Sequence, residues 1–87
     1  MKKIINGKMY NTETAKKLGW WSNGVSYSNF NRLEEALYLK KTGEYFIAAD
    51  YYNGDDITPV TEAEAKCWAE EKLDADEYIA AFGEPEE

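Results

Sequence analysis

Apolar positions alternate in short runs over the first two thirds of this chain and recur at helical spacing over the last third. Lys3-Ile4-Ile5-Asn6-Gly7-Lys8-Met9-Tyr10 places two β-prone runs around an Asn-Gly pair. Both central residues of a type I′ turn need positive φ, so this pair predicts a hairpin with Ile4 opposite Met9. Residues 12–18 read as a short N-terminal helix, capped by Asn11 or Thr12 and stopped by Gly19. A helix of roughly two turns must draw its stability from docking. Trp20-Trp21-Ser22-Asn23-Gly24-Val25-Ser26-Tyr27 repeats the Asn-Gly device and predicts a second, smaller hairpin or turn with Trp20 near Tyr27. Residues 28–31 form a polar link.

Residues 33–41 fit two periods. Leu33, Ala36, Leu37 and Lys40 suit a helix capped by Asn31, whereas Leu33, Glu35, Leu37 and Leu39 suit a strand. The following segment favours the strand, at least from Ala36 onward. Thr42-Gly43 is a turn signal, and Tyr45-Phe46-Ile47-Ala48-Ala49-Asp50-Tyr51-Tyr52 is aromatic and β-prone. Pairing across Thr42-Gly43 sets Leu39 near Phe46, Leu37 near Ala48 and Lys41 near Glu44. Asn53-Gly54-Asp55-Asp56 ends that strand, and Pro59 disfavours helix at Thr58.

The last third is helical. Thr61-Glu62-Ala63-Glu64 is a capping box, and Ala65, Trp68, Ala69 and Leu73 share one face beyond it. Asp74-Ala75-Asp76-Glu77 is a second cap of the same form. Ala75, Tyr78, Ile79 and Phe82 then recur at helical spacing until Gly83 and Pro85. The expected architecture is α+β: a small antiparallel sheet of β-hairpins, a short N-terminal helix, and two C-terminal helices packed on one face. Residues 1–83 form a single domain, and 84–87 are a frayed acidic tail.

Composition narrows the functional classes. Eighty-seven residues make one small domain that buries only roughly 60% of its unfolded surface. With no His and one Cys there is no zinc site of thiolates and imidazoles, no Ser-His or Cys-His pair, and no internal disulfide. The single thiol and the absence of a signal-peptide pattern point to a reducing cytoplasm, and no apolar run is long enough to span a membrane.

The net charge of -7 averages two unlike halves. Residues 1–41 hold eight cations against three acids, +5, whereas residues 42–87 hold two cations against fourteen acids, -12. The acidic half repels nucleic acid and attracts basic surfaces. The plain alternative is that the acids only solvate two surface helices.

Candidate chemistry is sparse. Asp50, Asn53, Asp55 and Asp56 surround Gly54, but Tyr52 takes the third position of a calcium loop and Gly54 arrives one place early, so a turn fits better. Neighbouring carboxylates such as Glu70-Glu71 point in different directions on a helix, and a short domain offers little water-excluding volume, so no catalytic residue, metal or cofactor is assigned. Cys67 beside Trp68 reads as a buried, inert thiol. Trp20, Trp21, Tyr27 and Phe30 lie beside Lys16, Lys17 and Arg32, the ingredients of single-strand nucleic-acid binding, although a domain this small also needs large aromatics for its core. Tyr51 and Tyr52 read as an exposed protein-contact patch.

The sharpest hypothesis rests on Glu62, Glu64, Glu70, Glu71, Asp74, Asp76 and Glu77, joined by Asp55 and Asp56. A rigid array of carboxylates can stand in for a phosphate backbone and compete with DNA or RNA for a basic channel.

Several blocks also carry a family resemblance: Lys3-Ile4-Ile5-Asn6-Gly7-Lys8-Met9-Tyr10-Asn11-Thr12-Glu13-Thr14-Ala15, then Glu35-Ala36-Leu37-Tyr38-Leu39-Lys40-Lys41-Thr42-Gly43-Glu44-Tyr45-Phe46, then Ile57-Thr58-Pro59-Val60-Thr61-Glu62-Ala63-Glu64-Ala65. Trp68-Ala69-Glu70 and Ala75-Asp76-Glu77-Tyr78 through Phe82-Gly83 continue the series. In this ordered set the chain resembles a family of small, mostly uncharacterised proteins of phages, prophages and other bacterial mobile elements. It departs from that pattern after the Tyr-Phe strand, where relatives often carry a Gly-rich stretch.

The resemblance implies a mobile-element setting, in which small acidic proteins without enzyme motifs include many anti-CRISPR inhibitors. The expected partner is a host protein or complex with a basic nucleic-acid channel, a CRISPR effector foremost, with no direct nucleic-acid contact and no membrane. The alternative is a nucleic-acid-binding accessory or regulatory protein using the basic, aromatic N-terminal half. A third possibility is a small prophage adaptor that binds a host protein without mimicry.

Overall fold

Asn6 and Gly7 both take positive φ, 52° and 77°, and close the hairpin of β1 (Lys2–Ile5) and β2 (Lys8–Asn11) with Ile4 opposite Met9. A computed structural model describes residues 1–26 and 28–84, so Tyr27 and the positions from Pro85 onward, including the expected Trp20–Tyr27 contact and most of the acidic tail, lie outside the described residues. The hairpin is a sheet of its own. A second, four-stranded antiparallel sheet runs in chain order through β3 (Lys16–Ser22), β4 (Leu33–Leu39), β5 (Tyr45–Tyr51) and β6 (Gly54–Val60). The helices α1 (Glu62–Lys72) and α2 (Ala75–Phe82) follow at the C-terminal end.

The short N-terminal helix expected over 12–18 is not formed. Asn11 instead builds a turn: its side-chain Oδ1 accepts from the Glu13 N–H at 2.9 Å, and its carbonyl accepts from the Ala15 N–H at 3.1 Å. The capping chemistry of Asn11 is used as a side-chain-to-backbone turn, and the chain then runs straight into β3. A two-turn helix cannot support itself, whereas β3 gains a ladder with β4 and buries part of Leu18 and Trp21.

The second Asn-Gly pair closes no tight hairpin either. Asn23 holds the base of a longer connection, its Nδ2 donating to the Asn31 carbonyl at 2.8 Å, and β3 pairs with β4 across that connection.

Residues 33–36, readable as helix or strand, are strand. The β4–β5 register is one residue off the expected one: Leu37 faces Ile47 and Leu39 faces Tyr45, rather than Ala48 and Phe46. The cause is the loop. The Lys40 N–H donates to the Glu44 carbonyl at 2.8 Å and Gly43 sits at φ 91°, so the connection is Lys41-Thr42-Gly43 with a left-handed third residue, not a two-residue Thr42-Gly43 turn. The strand ends before Asn53-Gly54 as expected, and the chain then reverses and returns as β6, a strand not expected from the sequence. Pro59 is tolerated there because β6 is an edge strand.

Alternation along β4 and β5 divides the sheet into two apolar faces. Phe46, Ala48 and Ile57 meet Tyr10 of the hairpin, with Tyr10 edge-on to Phe46 at 5.5 Å and Tyr38 stacked on it at 5.2 Å. Leu37, Tyr45, Ile47 and Val60 pack with Ala65, Trp68 and Ala69 of α1, and with Tyr78 and Phe82 of α2. Phe46 and Leu37, both fully buried, are each worth roughly 1.5–3 kcal/mol in apolar burial.

Candidate functional site

The acids of the two helices divide by what their oxygens already do. In α1 the Glu64 N–H donates to Thr61 Oγ1 at 3.1 Å, and Glu64 Oε1 accepts from the Thr61 N–H at 2.9 Å. That backbone donation is the main reason the Glu64 carboxyl is held below its ordinary range. In α2 the Glu77 N–H donates to Asp74 Oδ1 at 2.8 Å, and Glu77 Oε1 accepts from the Asp74 N–H at 3.2 Å. Both capping boxes foreseen in the sequence are therefore formed, and Glu64, Asp74 and Glu77 hold helix ends together. Glu62 pairs with Lys66 at 3.2 Å, one turn on. Glu70, Glu71 and Asp76 are exposed and make no ion pair among the described residues. From Glu62 to Glu84 the chain carries eight carboxylates against Lys66 and Lys72. Lys72 lies over the Trp21 ring at 3.9 Å, turned toward the sheet.

Leu73 ends α1 in an extended conformation, φ −103° and ψ 156°, and swings the chain into α2. Tyr78 and Phe82 anchor α2, the Phe82 ring 5.9 Å from Tyr45 of β5. Between the helices lies a groove of about 420 Å³ lined by Ala69, Leu73, Ala75, Tyr78 and Ile79, with Glu70 and Asp74 also on its walls.

Asp55 and Asp56 are not part of this face. They begin β6 beside the N-terminal hairpin, where Asp56 and Lys3 form an ion pair at 2.6 Å. The donation from Lys3 is the leading cause of the lowered Asp56 pKa. Tyr51 and Tyr52 are exposed as expected, and the Tyr52 ring lies 5.9 Å from Phe30, so the β5–β6 turn and the β3–β4 connection share one aromatic patch.

No family model, curated protein or solved structure matches this chain.

Two expectations about the basic half are corrected. Arg32 is not a surface cation beside the aromatics but is buried, ion-paired to Glu34 at 3.2 Å and Asp50 at 3.5 Å, with Nη2 donating to the Tyr51 carbonyl at 3.1 Å. It ties the β3–β4 connection to β5, a role that only the pairing of β4 with β5 makes visible. The charge split is also partly cancelled by folding. Lys3 pairs with Asp56, and Glu44 takes both Lys8 at 3.0 Å and Lys40 at 3.2 Å. Glu44 is lowered to about 2, led by Lys8 and then by Lys40 and Thr42. Trp20 is exposed near Lys17, whereas Trp21 is half-buried under Lys72.

Cys67 is exposed rather than buried, because it points away from the Ala65, Trp68 and Ala69 face of α1. The would-be calcium loop is an ordinary reversal, its Asp50 paired with Arg32 and its Asp56 with Lys3. Among the described residues no group of three or more acids or Cys is placed to hold a metal ion, and no helix is long and apolar enough to cross a membrane. The α1–α2 face can thus offer fixed negative charge around an apolar groove.

Proposed function

We propose that this protein is a non-enzymatic inhibitor from a mobile element that binds a basic, nucleic-acid-binding surface of a host defence complex, an anti-CRISPR protein in the leading form. The observation that carries the reading is the state of Glu70, Glu71 and Asp76: exposed, rigidly mounted on capped helices, and without counter-charge among the described residues. Carboxylates held this way keep their field for a partner, and a Lys/Arg-lined channel built for phosphates is the surface that such a field attracts. The nucleic-acid reading of the N-terminal half keeps Lys16 and Lys17 exposed but loses Arg32, which is buried and engaged with Glu34 and Asp50 of this same chain.

The test titrates the wild-type protein and the triple variant E70K/E71K/D76K into DNA-binding and cleavage reactions of a panel of purified CRISPR effectors. Asp74 and Glu77 are left in place because they cap α2. Inhibition by the wild type, lost in the variant with its circular dichroism unchanged, is the expected result. Inhibition that survives the triple reversal, or inhibition of no effector, overturns the proposal.

A further inference from the structure

The apolar positions of α2 do not all face the same way. Phe82 turns to Tyr45 and the sheet, with the Tyr78 ring beside it at one edge of the groove, whereas Ala75 and Ile79 line the groove with Ala69 and Leu73 of α1. Ile79 keeps 37% of its surface exposed, and none of the eight residues of α2 is buried. An apolar floor of this kind invites a third helix, whose anchors at i, i+3, i+4 and i+7 would complete the burial that α1 and α2 leave unfinished.

Charge selects among occupants. Glu70 and Asp74 flank the floor, and the segment around it has a net charge of -6 from Glu62 to Glu84. The same face of a second copy would set like charges against each other, and nucleic acid would meet the same repulsion. We infer that the α1–α2 groove receives a basic amphipathic helix of the partner protein, its apolar stripe on Leu73, Ala75 and Ile79 and its Lys or Arg residues toward Glu70. The inference rests on the reading above in taking the partner as basic. It adds that recognition is centred on an apolar contact, with charge at the rim.

The probe is a fluorescein-labelled synthetic peptide of Leu and Lys, with Leu at i, i+3, i+4 and i+7. A control of identical composition has the Leu spacing scrambled, so that it keeps the charge and loses the stripe. Ile79→Ser tests the floor, and Ile4→Ser, at an exposed apolar position of the hairpin, is the control for any exposed hydrophobe. The expected result is saturable binding of the patterned peptide, weakened about tenfold or more by Ile79→Ser and by scrambling but not by Ile4→Ser. Amide shifts should concentrate at Ala69, Leu73, Ala75 and Ile79. Equal binding of both peptides, shifts elsewhere, or shifts at Ile79 that change on dilution of the protein alone would each overturn the inference, the last by making a second copy the occupant. Patterned-peptide binding without inhibition of any effector keeps the groove and removes the inhibitor reading. Inhibition that survives Ile79→Ser but not E70K/E71K/D76K does the reverse.

Discussion

The indole N–H of Trp68 donates to Glu35 Oε1 at 3.1 Å, joining α1 to the second strand of the sheet across 33 residues of sequence. Trp68 is buried, so its donor needs this partner. A charged acceptor makes the bond stronger than a neutral one. Trp68→Phe should cost about 1–3 kcal/mol, and Glu35→Gln, which keeps an acceptor, should cost less. Urea denaturation of both variants decides it, and a Trp68→Phe midpoint equal to wild type would show that the bond contributes nothing net.

A Cβ built on Gly19 would lie 2.6 Å from Leu73 Cδ1, and no positive φ otherwise demands glycine at this position. The close approach lets the α1–α2 connection settle on β3. Gly19→Ala should therefore destabilise by about 1–3 kcal/mol through overpacking. In a Leu73→Ala background the same change should cost much less, and the double-mutant cycle reads the coupling. Additive costs would mean that Leu73 moves aside freely.

Stability in acid should depend on Glu44. Its folded-state pKa, about 2, lies below the ordinary value of 4.5 because Lys8 and Lys40 favour the carboxylate. A lowered folded pKa means that the contribution is complete above about 4.5 and disappears as the pH falls toward about 2. The difference in denaturation midpoint between wild type and Glu44→Gln should shrink over that window and stay constant from pH 5 to 7. A difference that grows on acidification would reverse the assignment.

The helical acids should separate into two groups. Asp74→Ala removes a cap and should cost about 1 kcal/mol with a loss of helical circular dichroism. Glu70→Lys and Glu71→Lys remove no partnered group and should leave the thermal midpoint nearly unchanged, whereas Asp76→Lys, in the first turn of α2, should cost only about 0.3–1 kcal/mol through the helix dipole. Losses at Glu70 and Glu71 equal to that at Asp74 would remove the distinction between capping acids and acids available to a partner.

Features set by near neighbours were legible in the chain. The Asn6-Gly7 turn with its register, both capping boxes and the Ala65–Trp68–Ala69 face each depend on residues within a few positions of one another. Legibility failed where a distant partner chose between two local options. Asn11 and Gly19 are good helix boundary residues, yet the 12–18 helix gave way to β3 because β4 offers a ladder and Leu73 covers Gly19. The aromatic run ending at Tyr51-Tyr52 was recognisable as a strand, but its return as β6 was hidden by the Gly and Asp residues that begin it.

The charge pattern shows the same division. Sequence alone determined that the second half is acidic, that two capped helices carry half of its fourteen acids, and that the chain has no His to build a catalytic pair. Only the tertiary structure decided which charges remain available. Folding brought Lys3 to Asp56, Lys8 to Glu44, and Arg32 to Asp50, while it left Glu70, Glu71 and Asp76 exposed and without an ion pair among the described residues, Glu70 on the wall of the α1–α2 groove. The physical reason is range: caps and turns close within one local hydrogen-bonded ring, whereas the Lys3–Asp56, Lys8–Glu44 and Arg32–Asp50 pairs exist only once segments remote in sequence share a surface.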